Sequence, residues 1–191
     1  MKRRMLVAGA CGALLLAACG ERESGAIAPK SGGKPVSIDA IAAEAQGFNV
    51  GTTMSARTVY VFFDPQCPHC GALWLAARPL RSQARFVWIP VGVLNEKSTQ
   101  QGAALLSATD PVAAMDQHEV SMREQRGGIG PRGGTGDQQE AVKRNTALMT
   151  RFGFASVPTV VARHATSNEV VTIEGSAPTP VLAERLGLQA P

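Results

Sequence analysis

The feature that most constrains this chain is Thr58–Cys70, TVYVFFDPQCPHC. Six β-branched and aromatic residues in a row, Thr58–Phe63, read as a strand buried on both faces, since a half-exposed strand would alternate apolar with polar. Asp64-Pro65 then ends the run with a turn signal. Cys67 and Cys70 follow at the head of GALWLAARPL, where Leu73, Trp74, Ala77 and Leu80 share one helical face and Pro79 predicts a kink. A second apolar run, Arg85–Val91, predicts another strand. Strand, helix and strand in this order fold as a βαβ unit with parallel strands and a right-handed crossover. The cysteines therefore open the crossover helix.

The remaining pattern surrounds that unit with helices and one more strand pair. Ile38, Ile41, Ala42, Ala45 and Phe48 predict a short helix over Ser37–Phe48. Ser98–Ala108, Pro111–Glu124 and Asp137–Phe152 have helical spacing, and the Gly-rich run Arg126–Gly136 between the last two reads as a flexible surface loop. That loop has neither phosphate-loop spacing nor a preceding strand. Thr159–Arg163 and Glu169–Glu174 predict a strand pair, and Thr179–Leu186 a final helix with Pro180 in its first turn. With 191 residues, 45% of them apolar, the chain has material for one core plus a leader. The expected domain covers 37–191 and is of α/β class, with a helical insertion at about 95–153 between the βαβ unit and the C-terminal strand pair.

The N-terminus is of another kind. Lys2, Arg3 and Arg4 precede an apolar run from Met5 to Ala18 that closes on LAAC. A basic start, a short apolar stretch and small residues describe an export signal over 1–18, and the run is shorter than the ~20 residues a spanning helix needs. LAAC resembles the lipobox of bacterial lipoproteins, which implies that Cys19 becomes the lipidated first residue. Gly20 in place of an aspartate then implies an outer-membrane destination. Residues 19–36, rich in Gly, Ser, Pro and charge, read as a flexible tether. Loss of the three basic residues of 1–18 brings the formal charge from +4 to +1, which gives no basis for nucleic-acid binding.

Export leaves Cys67 and Cys70 as the thiols of the folded domain, in an oxidising compartment. Structural zinc needs four ligands, and only His69 accompanies the pair, His118 and His164 being distant in sequence. A c-type haem attachment needs His after the second cysteine, where Gly71 stands. A purely structural bridge over so short a loop restrains the unfolded chain little. Position favours redox chemistry. Cys67 at a helix N-terminus meets unpaired N–H groups that favour the thiolate, and Cys70 one turn on is the more buried, resolving thiol. His69 adds a positive or hydrogen-bonding partner, and Pro68 fixes the turn. A stabilised thiolate makes the disulfide an oxidant. No metal and no cofactor is expected.

From about Thr58 to Leu188 the chain resembles the thioredoxin-fold thiol:disulfide interchange proteins of the bacterial periplasm, most closely the DsbC/DsbG branch. The matching stretches are VFFDPQCPHC, WIPVGVL (Trp88–Leu94), ATDPVAAMDQHE (Ala108–Glu119) and VPTVV. The resemblance implies a thioredoxin-like fold with Cys67 as the attacking cysteine and Cys70 as the resolving one. It further implies that Pro158 is a cis-proline which, with Val157, binds the substrate backbone, and that Asp64 is the acid preceding the motif. It implies as partners exported protein thiols or disulfides and a membrane redox protein. CPHC and Val157 are DsbA-like departures. The branch also carries an N-terminal dimerisation domain, for which the stretch from Cys19 to the end of the first expected helix at Phe48, about half of it tether, leaves no room, so a monomeric oxidant on a lipid anchor is expected. The alternatives are a reductase or isomerase on the same residues, and a metallochaperone holding copper or zinc. Copper carriers of this fold, however, usually space their cysteines by three residues.

Overall fold

The strand run over Thr58–Phe63 sits at the centre of a five-stranded sheet. The computed structural model describes residues 35–130 and 136–191. The expected signal peptide, Cys19 and most of the expected tether therefore lie outside the described residues. Val36, placed at the tether's end, packs on the core.

In chain order the elements are α1 (Ile38–Glu44), β1 (Phe48–Gly51), β2 (Thr58–Phe63), α2 (Pro68–Ala76), a 3-10 turn (Arg78–Leu80), β3 (Arg85–Pro90), α3 (Glu96–Leu106), α4 (Pro111–Arg123), α5 (Gly136–Arg151), β4 (Thr159–Arg163), β5 (Val170–Glu174) and α6 (Thr179–Leu186). The sheet order is β1-β3-β2-β4-β5. β2 and β3 pair in parallel through the α2 crossover, Val61 opposite Trp88, as the βαβ reading requires. β1, β4 and β5 join antiparallel. The helices α3–α5 stand between β3 and β4 as the insertion.

Alternation along the central strands fills two cores. Val59, Val61 and Phe63 face one side with Phe86, Trp88, Val160 and Ala162; α2 and α6 cover them with Leu73, Trp74, Leu182 and Leu186. Tyr60, Phe62, Ile89 and Val161 face the other side, under Ile41 of α1, Leu148 and Met149 of α5, and Phe152 just beyond that helix. An edge-to-face contact fastens α2 to the sheet: Trp74 lies 4.9 Å from Trp88, whose ring also meets Phe63 of β2 at 5.4 Å, centroid to centroid.

Local signals explain the helix starts. Ser37 caps α1 by accepting from Ala40 N–H, Asn95 and Ser98 form a capping box on α3, and Asp110 caps α4 ahead of Pro111. Two expectations need correction. The helix expected over Ser37–Phe48 ends at Glu44, and Phe48 opens β1 instead. Phe48 and Val50 alternate with exposed neighbours along the open edge of β3, and pairing there satisfies backbone groups that a longer helix would leave bare. The helix expected to kink at Pro79 instead stops at Ala76, and Pro79 falls in the 3-10 turn, since it has no N–H for an α-helical bond.

Asn145 of α5 shows how the sheet edge is tied down. It is fully buried; its amide donates to Gln46 O (2.8 Å) and Pro90 O (2.9 Å), and its oxygen accepts from Gln46 N–H (2.9 Å). Asn145→Leu strands those backbone groups without partners. It should therefore lower stability by about 2–4 kcal/mol, read as a fall in the urea midpoint at unchanged slope.

Candidate functional site

The site begins where β2 runs out. Asp64 is fully buried, and its carboxylate accepts from Gln66 N–H (2.8 Å), Val93 N–H (2.8 Å) and Leu94 N–H (3.0 Å). One side chain thus shapes the turn before the cysteines and binds it to the segment after β3. Cys67 N–H returns to Asp64 O at 3.0 Å. The chain then enters α2 with Pro68 in the first turn and Cys67 as N-cap, making no side-chain cap bond.

At that position a sulfur stands where a capping oxygen is usual, and it leaves the cap bond unmade. Both cysteines are unbonded thiols, Cys67 7% exposed and Cys70 fully buried. A hydrogen bond from the Cys70 thiol does most to lower the Cys67 pKa to about 6. Burial opposes it, while the backbone N–H groups of Cys70 and His69 and the charge of His69 act in the same direction. Burial pushes the Cys70 thiol far up, and its bond to Cys67 adds to that. One thiol is built to ionise and the other to stay protonated.

The wall facing the sulfur comes from far along the chain. The Val157–Pro158 peptide is cis, and Val157 O lies 3.5 Å from Cys67 Sγ. The structure thus gathers Cys67, Pro68, His69, Cys70, Val157 and Pro158 at one place. His69 keeps its ring exposed and acts on the sulfur through its N–H and its charge. Cys19 lies outside the described residues.

Behind the cysteines stands α4, part of the expected insertion. His118 is fully buried; its Nε2–H donates to Pro65 O (2.7 Å), and its Nδ1 accepts from Ile129 N–H (3.2 Å). Burial lowers its pKa, so the neutral ring holds the Pro65–Cys67 turn from behind. Gln101 of α3 donates to Gly127 O (2.7 Å) and Ile129 O (3.0 Å), and accepts from the Gln66 amide. This corrects the flexible-loop reading of Arg126–Gly136 for its described part. Gly127 and Gly128 have positive φ, and a Cβ on Gly128 would meet the His118 ring at 2.5 Å, so the glycines serve a close contact. The same helix brings in Glu119, 6% exposed, whose pKa burial raises to about 7. Met115, His118, Glu119 and Met122 fall at i, i+3, i+4 and i+7, so two ionisable residues on an otherwise apolar stripe were the available signal. Among the described residues no group of three or more His, Cys, Asp and Glu is placed to hold a metal ion.

Comparison with known proteins gives a consistent family. The thioredoxin-like domain family matches residues 52–189. The thiol:disulfide interchange protein DsbG of Pseudomonas aeruginosa is 39% identical over 71 residues, covering 36% of this chain and 28% of the relative. DsbG of Escherichia coli is 31% identical over 104 residues, covering 53% and 42%. The chain thus spans less than half the length of the curated relatives it matches. Among solved structures, a periplasmic thioredoxin-like protein from Salmonella enterica serovar Typhimurium aligns at TM-score 0.62 and 18% identity, over 81% of this chain and 97% of that one. The catalytic domain of Proteus mirabilis ScsC aligns at 0.58 and 19%, over 78% and 94%. These two likenesses show the fold.

The opposed thiols make a direct prediction for the reduced protein. Alkylation of Cys67 by iodoacetamide should reach half its maximal rate near a pH of about 6, while Cys70 stays unmodified through neutral pH. Mass mapping of the labelled cysteine at each pH checks it, and equal labelling of both would contradict the assignment.

Proposed function

The chain belongs to the thioredoxin-like domain family, and from that premise we propose that it is a thiol:disulfide oxidoreductase working as an oxidant of exported proteins through Cys67 and Cys70. One observation carries the reading: Cys67, the N-cap residue of α2, is almost fully buried beside a fully buried Cys70 thiol, whose hydrogen bond does most to bring the Cys67 pKa down to about 6.

The steps follow from that asymmetry. A substrate thiolate attacks Cys67 Sγ of the disulfide form, the Cys67–Cys70 bond breaks, and Cys70 leaves and takes up a proton. A second substrate thiolate then attacks the substrate sulfur of the mixed disulfide. The substrate disulfide forms, and Cys67 leaves as its stabilised thiolate. Two electrons pass from substrate to the pair. Val157 and Pro158 line the approach to Cys67, and Val157 O, 3.5 Å from the sulfur, lies where an extended substrate backbone would run. Pro68 sets the first turn, and His69 supplies an N–H and a charge to the thiolate.

The linkage sign supports the oxidising direction. The depressed Cys67 pKa stabilises the reduced form above a pH of about 6 and ceases to do so as pH falls through that value. The contribution is complete only above the ordinary thiol range; at neutral pH just the part between about 6 and the ambient pH counts, at most about 1.4 kcal/mol per unit before solvent screening reduces it. A pair that prefers to be reduced takes electrons readily.

In this reading the domain over 37–191 works in the periplasm as a monomer, tethered through 19–36 to a lipidated Cys19 after loss of 1–18. A membrane redox protein re-oxidises it. With a reducing partner the same residues would run backwards as a reductase or isomerase, and the potential separates the cases. A glutathione titration should place the pair nearer about −120 mV than about −270 mV; the lower value would overturn the oxidant reading. Cys67→Ser should abolish exchange, whereas Cys70→Ser should trap the mixed disulfide on Cys67, seen as a mass adduct with a substrate peptide.

A further inference from the structure

Glu119 is a buried carboxyl that the exchange steps above leave without a task. Its Oε2 packs so closely on α2 that a Cβ on Gly71 would meet it at 2.0 Å. Gly71 is one turn on from Cys67, its N–H bonded to Cys67 O at 3.3 Å, so the two share a helix face. The carboxyl thus lies against the face of α2 that carries the reactive sulfur, with 6% of its residue surface exposed.

We propose that Glu119 is the proton store of the cysteine pair, its carboxylate taking up a proton when the disulfide is reduced and releasing it when the disulfide re-forms. The inference rests on the redox reading of Cys67 and Cys70. A substrate dithiol brings two electrons and two protons to the disulfide. The Cys67–Cys70 bond breaks and the substrate disulfide forms; one proton ends on the Cys70 thiol, Cys67 remains thiolate, and the second proton goes to Glu119. The reason is charge. In the disulfide form there is no thiolate beside the carboxylate, whereas reduction creates one, and two like charges in a buried space cannot both be kept without cost.

The groups acting on Glu119 are few. Its pKa is raised first by burial, then by the Cys67 thiolate on α2 and by Asp116 on its own helix, and Arg123 on that helix opposes them. The neighbouring strand β1 carries no titratable side chain, and Glu96 and Lys97 of α3 are not among the charges that move it. Of these influences, the Cys67 charge is the one that appears on reduction and vanishes when the disulfide re-forms. Glu119 is in this sense a positioning residue for charge, acting on the sulfur through space.

The test is the equilibrium of the full chain with glutathione, followed from a pH of about 6 to about 8. In Glu119→Gln, reduction releases close to a whole proton once pH is well above the Cys67 pKa of about 6, so around neutrality the equilibrium constant for reduction should climb about tenfold per pH unit. In the wild type Glu119 retains part of that proton, and the climb should be about three- to sixfold per unit around neutrality. Gly71→Ala pushes the carboxylate off α2 and should move the slope towards that of the Gln variant. A merely structural Glu119 would lower the melting temperature of the variants and leave the slope alone. A wild-type slope in either folded variant overturns the inference, and if Glu119→Gln fails to fold, Gly71→Ala decides. If the wild type does not exchange with glutathione at all, the redox reading itself falls; exchange with equal slopes removes only the proton store.

Discussion

An α-helix starts with backbone N–H groups that have no partner within the helix, and something must answer them. At the head of α2 the answer is a sulfur. Cys67 is the N-cap; its side chain makes no conventional cap bond, yet the N–H groups of His69 and Cys70 lie near enough to favour its thiolate. The rest of the structure keeps that helix end in place. Asp64 folds the turn in front of it, His118 holds Pro65 from behind, and Trp74 against Trp88 pins the helix body to the sheet. Ionisation of one thiol is thereby made a property of the fold.

Much of this was legible. The uninterrupted run of Thr58–Phe63 meant a central strand, and the structure places it between β3 and β4 with its side chains buried. The helical phase of Leu73, Trp74, Ala77 and Leu80 correctly gave the face that α2 and the 3-10 turn bury. The pairing of the CPHC stretch with VPTVV came from family likeness, since nothing in local spacing says that Val157 will face Cys67.

What stayed hidden was of two kinds. β1 was lost because Phe48 and Val50 form too short a run to show alternation, and the preceding helical phase of Ile41 and Ala45 continues through Phe48. The edge of β3, not local sequence, makes that segment a strand. His118, Glu119, Gln66 and Gln101 were hidden because their roles depend on how α3 and α4 dock behind α2. A polar residue on a predicted helix says nothing about its partner until the docking is known. The glycines at 127 and 128 misled for the same reason: flexibility in the chain is here used for a tight fit against His118.

Cys67 and Val157 meet across 90 residues of chain, whereas the cap of α2 and the Cys70 thiol lie within one turn of the sulfur. Local contacts close quickly and distant ones slowly, because ordering a long intervening segment costs more chain entropy. The features that ionise Cys67 belong to one helix end and its seat on β2. The wall that faces the sulfur belongs to β4, beyond the whole α3–α5 insertion. The reactive thiol is local to one turn of chain, while the complete site exists only where distant parts of the chain are joined.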